Sequence, residues 1–518
     1  SYVPTDDVPR LIEGLFGLFC DADTQVVSNA WQALCVVMGT VGKEDQGVYL
    51  RDVRAGVEFC REKVRRGLRK ENKPTKELLV PGLCLPKGLA PIAMVFLQGV
   101  LNGKSSEQRE SAAEGLKEAI ASCTPASLKP HVIQITGPLI RVLGDKHSGG
   151  VKAATLAALN AMIEKGGVSL KPFVPQLQTT FVKCLVDTHR PVRQRAAQAL
   201  GRLVVLQPRV DALVGDLVNS IATSDARDGS VEATLRAVAG AFAHAGANVK
   251  PLTVLAAKNV CWEIGQESDD EQTRAAAALA LAHVSAFLAE NDRVSLIETL
   301  GELDASLSDD AREHRALSLG ALARTHPELV LASHASAALN GLARHSRDTE
   351  REAIRSAAVL GMGRLARASF EQSGAACPYF GKIAPALARA LRDDASGVRT
   401  ASASALSGLC AVSPEAVQAH LGAFVPALAD VAVADKSKDA RFYADRAVIG
   451  ALMVADTEDG LVYAQSQLRA GGAANAARGR LSDVVLRRLK GMPDEETPVW
   501  GSLAADADDD DELVLGDN

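Results

Sequence analysis

Chemistry in a protein needs nucleophiles, acids, bases or metal ligands held at a working spacing. The 518 residues include nine cysteines, at 20, 35, 60, 84, 123, 184, 261, 377 and 410, none of them in a C-x-x-C pair. An odd, scattered set inside apolar runs reads as reduced cysteine used as a small hydrophobe, not as a zinc or redox site. His131, His147, His189, His314 and His345 read as turn or polar-face residues, and none pairs at ligand spacing with a Cys or carboxylate on one helix face. There is no G-x-x-x-x-G-K-[ST], no H-E-x-x-H and no G-x-S-x-G. "GMGRLA" from 361 mimics a dinucleotide loop but has no strand before it, so it reads as helix packing. The expectation is a protein that is not an enzyme, with no catalytic residue, metal, cofactor or small-molecule substrate.

Two cationic features remain. "REKVRRGLRKENKPTK", residues 61 to 76, holds eight Lys or Arg against two Glu. Arg61, Lys63, Arg65, Arg66, Arg69 and Lys70 could meet a polyanion such as RNA, or could simply form a solvated helix face. No aromatics interleave, which counts against base stacking. The second feature is "QITGPLIRVLGD", residues 134 to 145. Its apolar positions read as helix, yet Gly137 and Pro138 sit inside it. An interior Gly costs about 1 kcal/mol and an interior Pro about 3 kcal/mol relative to Ala. Gln134, Gly137, Pro138, Arg141 and Asp145 fall on one helical stripe opposite the aliphatic residues, so Arg141 should face solvent. A kink is expected over Gln134 to Pro138. Arg141 could instead pair with Asp145 at i+4, worth about 0.3–0.5 kcal/mol.

The elements that position these residues come from a repeat. "LKPHVIQITGPLIRVLGD" begins at 128 and "LKPFVPQLQTTFVKCLVD" begins 42 residues later. Each precedes a polar turn and a second helix, "VKAATLAALNAM" from 151 and "VRQRAAQALGRL" from 192. The second helix has a grammar: an aliphatic residue usually followed by Arg or Lys, a small residue four on, an apolar residue eight on. It recurs in "TRAAAALAL" at 273, "IRSAAVLGM" at 354, "VRTASASAL" at 398 and "ARFYADRAV" at 440, often with Asp just upstream. The i, i+4, i+8 spacing aims one face at a neighbouring helix, and the small residue permits close approach. The Asp can cap the next helix, and the base can reach the next turn's Asp to build a ladder. A helix pair of period near 41 predicts an all-α, HEAT-type α-solenoid of about eleven or twelve repeats. In the 170 copy Thr179, Thr180 and Lys183 replace Gly-Pro and Arg141, so the Gly-Pro break reads as a rule broken in one repeat only.

The bulk composition agrees. Hydrophobic residues make up 47% and aromatics only 4%, which favours helices packed through small side chains. No apolar run reaches the ~20 residues that span a bilayer, and no signal peptide is visible. A cytoplasmic protein is expected, and the start at Ser1 suggests a trimmed chain or a fragment of a longer one. Residues 494 to 518 hold ten acids and no Lys or Arg, leaving 57 bases against 53 acids elsewhere. The expected organisation is N-terminal HEAT repeats with the basic segment over 1–84, HEAT repeats carrying a candidate docking region over 85–260, C-terminal HEAT repeats over 261–490, and an acidic, disordered tail over 491–518.

"LPKGLAPIAMVFLQGVLNG", "EQRESAAEGLKEAI" and the two copies above closely resemble the C-terminal region of the general-control translational activator, as does "LQPRVDALVGDLV". The acidic tail is similar to that of the plant-type members. The resemblance implies a HEAT scaffold that binds the RWD domain of the general-control eIF2-α kinase and promotes its activation on ribosomes during amino-acid starvation. Ribosome contacts would lie mainly in upstream regions absent here. The family's docking arginine, carried by "GPLIR", matches Arg141. Around Arg141 the candidate partner-binding residues are Gly137, Pro138, Asp145, Lys146, Lys152 and Lys183. Where the family commonly has an aromatic-Pro-aromatic turn, this chain has "KHSGG", Lys146 to Gly150. The alternative is a generic HEAT interaction scaffold of karyopherin-like or tubulin-binding type.

Overall fold

A computed structural model describes residue 4 and residues 7–454, apart from 71–77, 145, 207–208, 224–228, 247–248, 303–305, 375–376 and 413–416. Among these the chain is helical, with no strand. Helices α1 (Val8–Leu18), α2 (Thr24–Thr40) and the long α3 (Leu50–Lys70) come first. Pairs then follow: α4 (Ala93–Asn102) with α5 (Ser106–Ala121); after a short α6 (Pro125–Leu128), α7 (Val132–Gly144) with α8 (Gly149–Gly166); α9 (Val174–Cys184) with α10 (Arg190–Leu203); and α11 (Val210–Thr223) with α12 (Ser230–His244). Next are α13 (Pro251–Glu267) with α14 (Glu271–Ser285), and α15 (Glu290–Gly301) with α16 (Asp309–Thr325). A short α17 (Pro327–Ser333) precedes α18 (Ala335–His345) with α19 (Glu352–Ser373), α20 (Phe380–Ala390) with α21 (Ser396–Val412), and α22 (Leu421–Ala434) with α23 (Lys438–Val454). The contacts divide the chain into two compact units, Ser1–Ala257 and Lys258–Asn518.

Within the first unit the second helices α5, α8, α10 and α12 pack one on the next; within the second, α14, α16, α19, α21 and α23 do so. A helix sandwiched between two neighbours and its own partner buries nearly all round, so its sequence loses amphipathic contrast. In α8, Val151, Ala153, Ala154, Leu156, Ala158, Leu159, Met162 and Ile163 are all buried. The small residues do what the grammar requires. Gly201 of α10 faces Gly240 of α12 so closely that a Cβ on Gly201 would lie 2.7 Å from the Gly240 Cα. "GMGRLA" lies within α19, where a Cβ on Gly363 would meet the Ala405 Cβ at 2.4 Å; those glycines serve helix packing.

The expected charge ladder is present. Lys152 bonds Asp187 at 2.9 Å. Arg274 reaches Asp310 and Glu313, both at 3.1 Å, and donates to its own turn at the Ser268 carbonyl. Arg355 holds both Asp393 oxygens at 2.8 Å while donating to the Asp348 carbonyl. Arg399 pairs with Asp435 and donates to the carbonyls of Asp393 and Asp394. Each guanidinium thus satisfies the end of its own turn and the carboxylate of the next. The carboxylates also brace their loops: Asp187, Asp393 and Asp435 accept from the amides of His189, Ala395 and Ser437.

The histidines depart from expectation. His147 is half-buried and His189 exposed, but His131, His314 and His345 are buried. His314 lies on the inner side of α16 with its ring edge-on to Trp262. His345 sits at the end of α18 with Nε2 2.9 Å from the Leu300 carbonyl. Their helical register, not their polarity, decided their side.

Candidate docking face

The α7 helix enters through a tight 3-10 turn, Lys129–His131, after α6 is capped by the Thr124 hydroxyl. Val132, Ile135, Thr136, Leu139, Val142 and Leu143 face the core. Buried Thr136 returns its hydroxyl to the Val132 carbonyl at 2.7 Å. On the other side Ile133 is 75% exposed, and Gln134, Arg141 and Gly144 are exposed while Gly137 and Pro138 are half-buried. A Cβ on Gly137 would meet nothing within 4 Å, so no packing contact demands glycine there.

The α-helix is continuous through Pro138. The carbonyl that Pro138 leaves without a donor belongs to Gln134 on the solvent side, where water can serve it. One expectation about this segment changes: interior proline is not confined to one repeat. Pro385 lies inside α20 and Pro426 inside α22. First helices carry one open face, and proline is tolerated there because its missing donor faces water.

Arg141 is exposed. It makes no hydrogen bond or ion pair with the described residues; Asp145, its i+4 neighbour, lies outside them. Lys146 and Lys183 are exposed. Lys152 is different: its ammonium is the Asp187 rung of the ladder and its side chain is only 21% exposed, so it is a structural contact and not a free donor. The residue missed by sequence is Ile133, counted with the core. Its spacing held the signal, because 133, 137 and 141 step by four and share the open stripe. Gln134 of α7 lies against Met94 of α4, its Nε2 2.8 Å from the sulfur. The three first helices in this row, α4, α7 and α9, contain no Asp or Glu.

The "KHSGG" turn is built from its own contacts. The Ser148 hydroxyl accepts from the Val151 amide at 3.4 Å and caps α8. A Cβ on Gly149 would strike the His189 ring at 2.2 Å, and one on Gly150 would strike the Glu110 carboxylate at 2.0 Å. The glycines let the flanking repeats close over the turn.

The basic run lies mainly on α3. Arg61 donates to the Glu118 carbonyl at 3.0 Å, near the end of α5. Arg65 and Arg66 bridge Glu62 at 2.7 and 3.1 Å. Lys63 is exposed; the side chains of Arg69 and Lys70 lie outside the described residues. All nine cysteines are free. Burial pushes the Cys123, Cys261 and Cys410 thiols up to about 12 and Cys184 to about 11, which makes them poor nucleophiles. Among the described residues no group of three His, Cys, Asp or Glu could hold a metal ion, and no helix is long and apolar enough to cross a membrane.

Comparison with known proteins adds the family. A model of "Stalled ribosome sensor GCN1-like, HEAT repeats" matches residues 3–87. One of "GCN1-like, C-terminal HEAT repeats" matches 312–467, and a HEAT-like repeat model matches 106–162 and 149–203. The chain belongs to the GCN1-like HEAT-repeat family. It is 34% identical to Protein ILITYHIA of Arabidopsis thaliana over 99% of its length. It is 32% identical to the stalled ribosome sensor GCN1 of Homo sapiens over 88%, and 35% identical to the eIF-2-alpha kinase activator GCN1 of Saccharomyces cerevisiae over 62%. It spans only 18%, 16% and 11% of those relatives.

Proposed function

We propose that this chain is a non-enzymatic HEAT scaffold whose α4–α7–α9 row docks the RWD domain of the general-control eIF2-α kinase and promotes its activation on ribosomes in amino-acid starvation. The observation that carries this is Arg141: exposed, without a described partner, on a row of helices free of carboxylates. A guanidinium without a partner among the described residues, on the same open stripe as apolar Ile133 two turns earlier, is the kind of anchor that binding energy concentrates on. Lys146 and Lys183 add rim charge that speeds encounter with an acidic surface. The names of the human and yeast relatives, a stalled ribosome sensor and an eIF-2-alpha kinase activator, point to the same kinase and ribosome partners and to a cytoplasmic setting.

A pull-down of purified RWD domain by the chain tests the site. Arg141→Ala is expected to weaken capture at least about tenfold, the scale of a hot-spot side chain, with the helical circular dichroism unchanged. Wild-type capture by the Arg141→Ala chain would remove Arg141 from the interface. Capture of tubulin or transport cargo with no RWD binding would replace the kinase reading with the generic scaffold.

A further inference from the structure

The second unit holds a groove of about 1010 Å³ between the α18–α19 turn, the outer face of α20, the α20–α21 turn and the start of α22. Its floor is apolar, with Ala384 and Ala388. Arg347, Arg389 and Arg392 line it and are all exposed. None of the three side chains has an ion pair or hydrogen bond to the described residues. The acids beside them offset only part of that charge. Asp393 is clasped by Arg355, and Asp348 accepts from the amides of Glu350 and Arg351. Asp348 and Asp394 keep their charge with no ion pair to the described residues, so three free arginines face two carboxylates and the groove is left net positive. Within α20, Arg389 follows exposed Pro385 by one turn, as Arg141 follows Gly137 in α7.

We propose that this groove binds the chain's own acidic segment, Asp506–Glu512. That segment carries six acids in seven residues and no base, so its charge complements the groove. The path also suits it. α23 packs on α22, whose start lines the groove, so the described chain stops at Val454 on the helix next to it. Roughly fifty residues separate Val454 from Asp506, and even at the helical rise of about 1.5 Å per residue that is ample chain to return to the groove. A tethered segment acts at millimolar effective concentration, so pairing too weak to hold a free peptide suffices. The contact would hold the arginines of α20 covered until a competing acidic partner displaces the segment.

The test uses the full chain and a synthetic peptide of residues 504–515. Asp508–Asp511 are changed to Asn and Glu512 to Gln in one variant. The peptide is expected to bind that variant about tenfold tighter than wild type, because the tethered copy no longer competes. Adding Arg389→Glu and Arg392→Glu should abolish binding, and 0.5 M salt should weaken it through screening. Arg141→Ala should leave it unchanged, which separates this groove from the α7 face. Hydrogen exchange over 384–394 should quicken in the tail-neutralised chain. Equal peptide binding to wild type and variant, or binding that survives the double arginine change, would overturn the proposal, as would unchanged exchange.

Discussion

Asp435 has one oxygen on Arg399 and the other on the Ser437 amide, and its side chain is 1% exposed. Asp435→Asn removes the charge but keeps the shape, leaving the Arg399 guanidinium short of its anion. The expected loss is about 2–3 kcal/mol, read from urea unfolding at pH 7, because a half-broken buried pair retains its desolvation cost. An Arg399→Met, Asp435→Leu double change should recover part of that loss, since neither charge is then stranded. Both residues were legible in sequence, as the base of the second-helix grammar and the acid upstream of it. Arg141 was legible too, by stripe position. Ile133 is misplaced when it is counted with the core by residue type, although its four-residue step to Gly137 and Arg141 puts it on the open stripe.

At the scale of the element, Gly137 and Gly240 give opposite predictions. Gly137 sits in a helix with open space where its Cβ would be. Gly137→Ala should stabilise the chain by about 0.5–1 kcal/mol through helix propensity, seen as a higher thermal midpoint. No gain would mean that the residue's freedom is needed in the folded state. Gly240 has the Gly201 Cα at 3.0 Å from the same added atom. Gly240→Ala should cost about 1–3 kcal/mol, because α10 and α12 must separate. Both are glycines in helices near proline or alanine, and the linear pattern does not distinguish them. The difference is whether a second helix stands opposite.

At the scale of the whole molecule, the ladder and the buried histidines set the response to acid. Burial of the Asp187, Asp393 and Asp435 carboxyls favours their neutral form. The His189, Ala395 and Ser437 amides, together with Lys152, Arg355 and Arg399, more than offset this, so all three ionise below the usual carboxylate value of 3.8. Groups lowered in the folded state stabilise it above the unfolded value, and that stability is lost as pH falls through the folded one. His314 adds a term at higher pH. Burial takes it from 6.5 down to about 4, so its contribution is present above 6.5 and fades as pH drops toward 4. Thermal midpoints should therefore decline in two stages on acidification, first between pH 6.5 and 4, then below about 4. His131, His326 and His345 are lowered by burial as well, so His314→Gln should shrink the first stage without abolishing it and leave the second; an unaltered first stage would assign it wholly to the other histidines.

The sequence by itself determined the fold class, the repeat register, the second-helix grammar and the ladder partners. These follow from short-range periodicities of 3.6 and about 41 residues, which a linear pattern records directly. Tertiary structure alone decided which members of that pattern were free. Lys152 and Arg141 look alike as bases in repeats, but one meets Asp187 across a turn and the other meets no described residue. His314 and His189 look alike as polar residues, but only the stacking of α16 within its unit sends one inward. The Arg389 groove arises where two turns and two helices from successive repeats converge. Such outcomes depend on what stands opposite a side chain, and that is set when the repeats stack, not by the residue's neighbours along the chain.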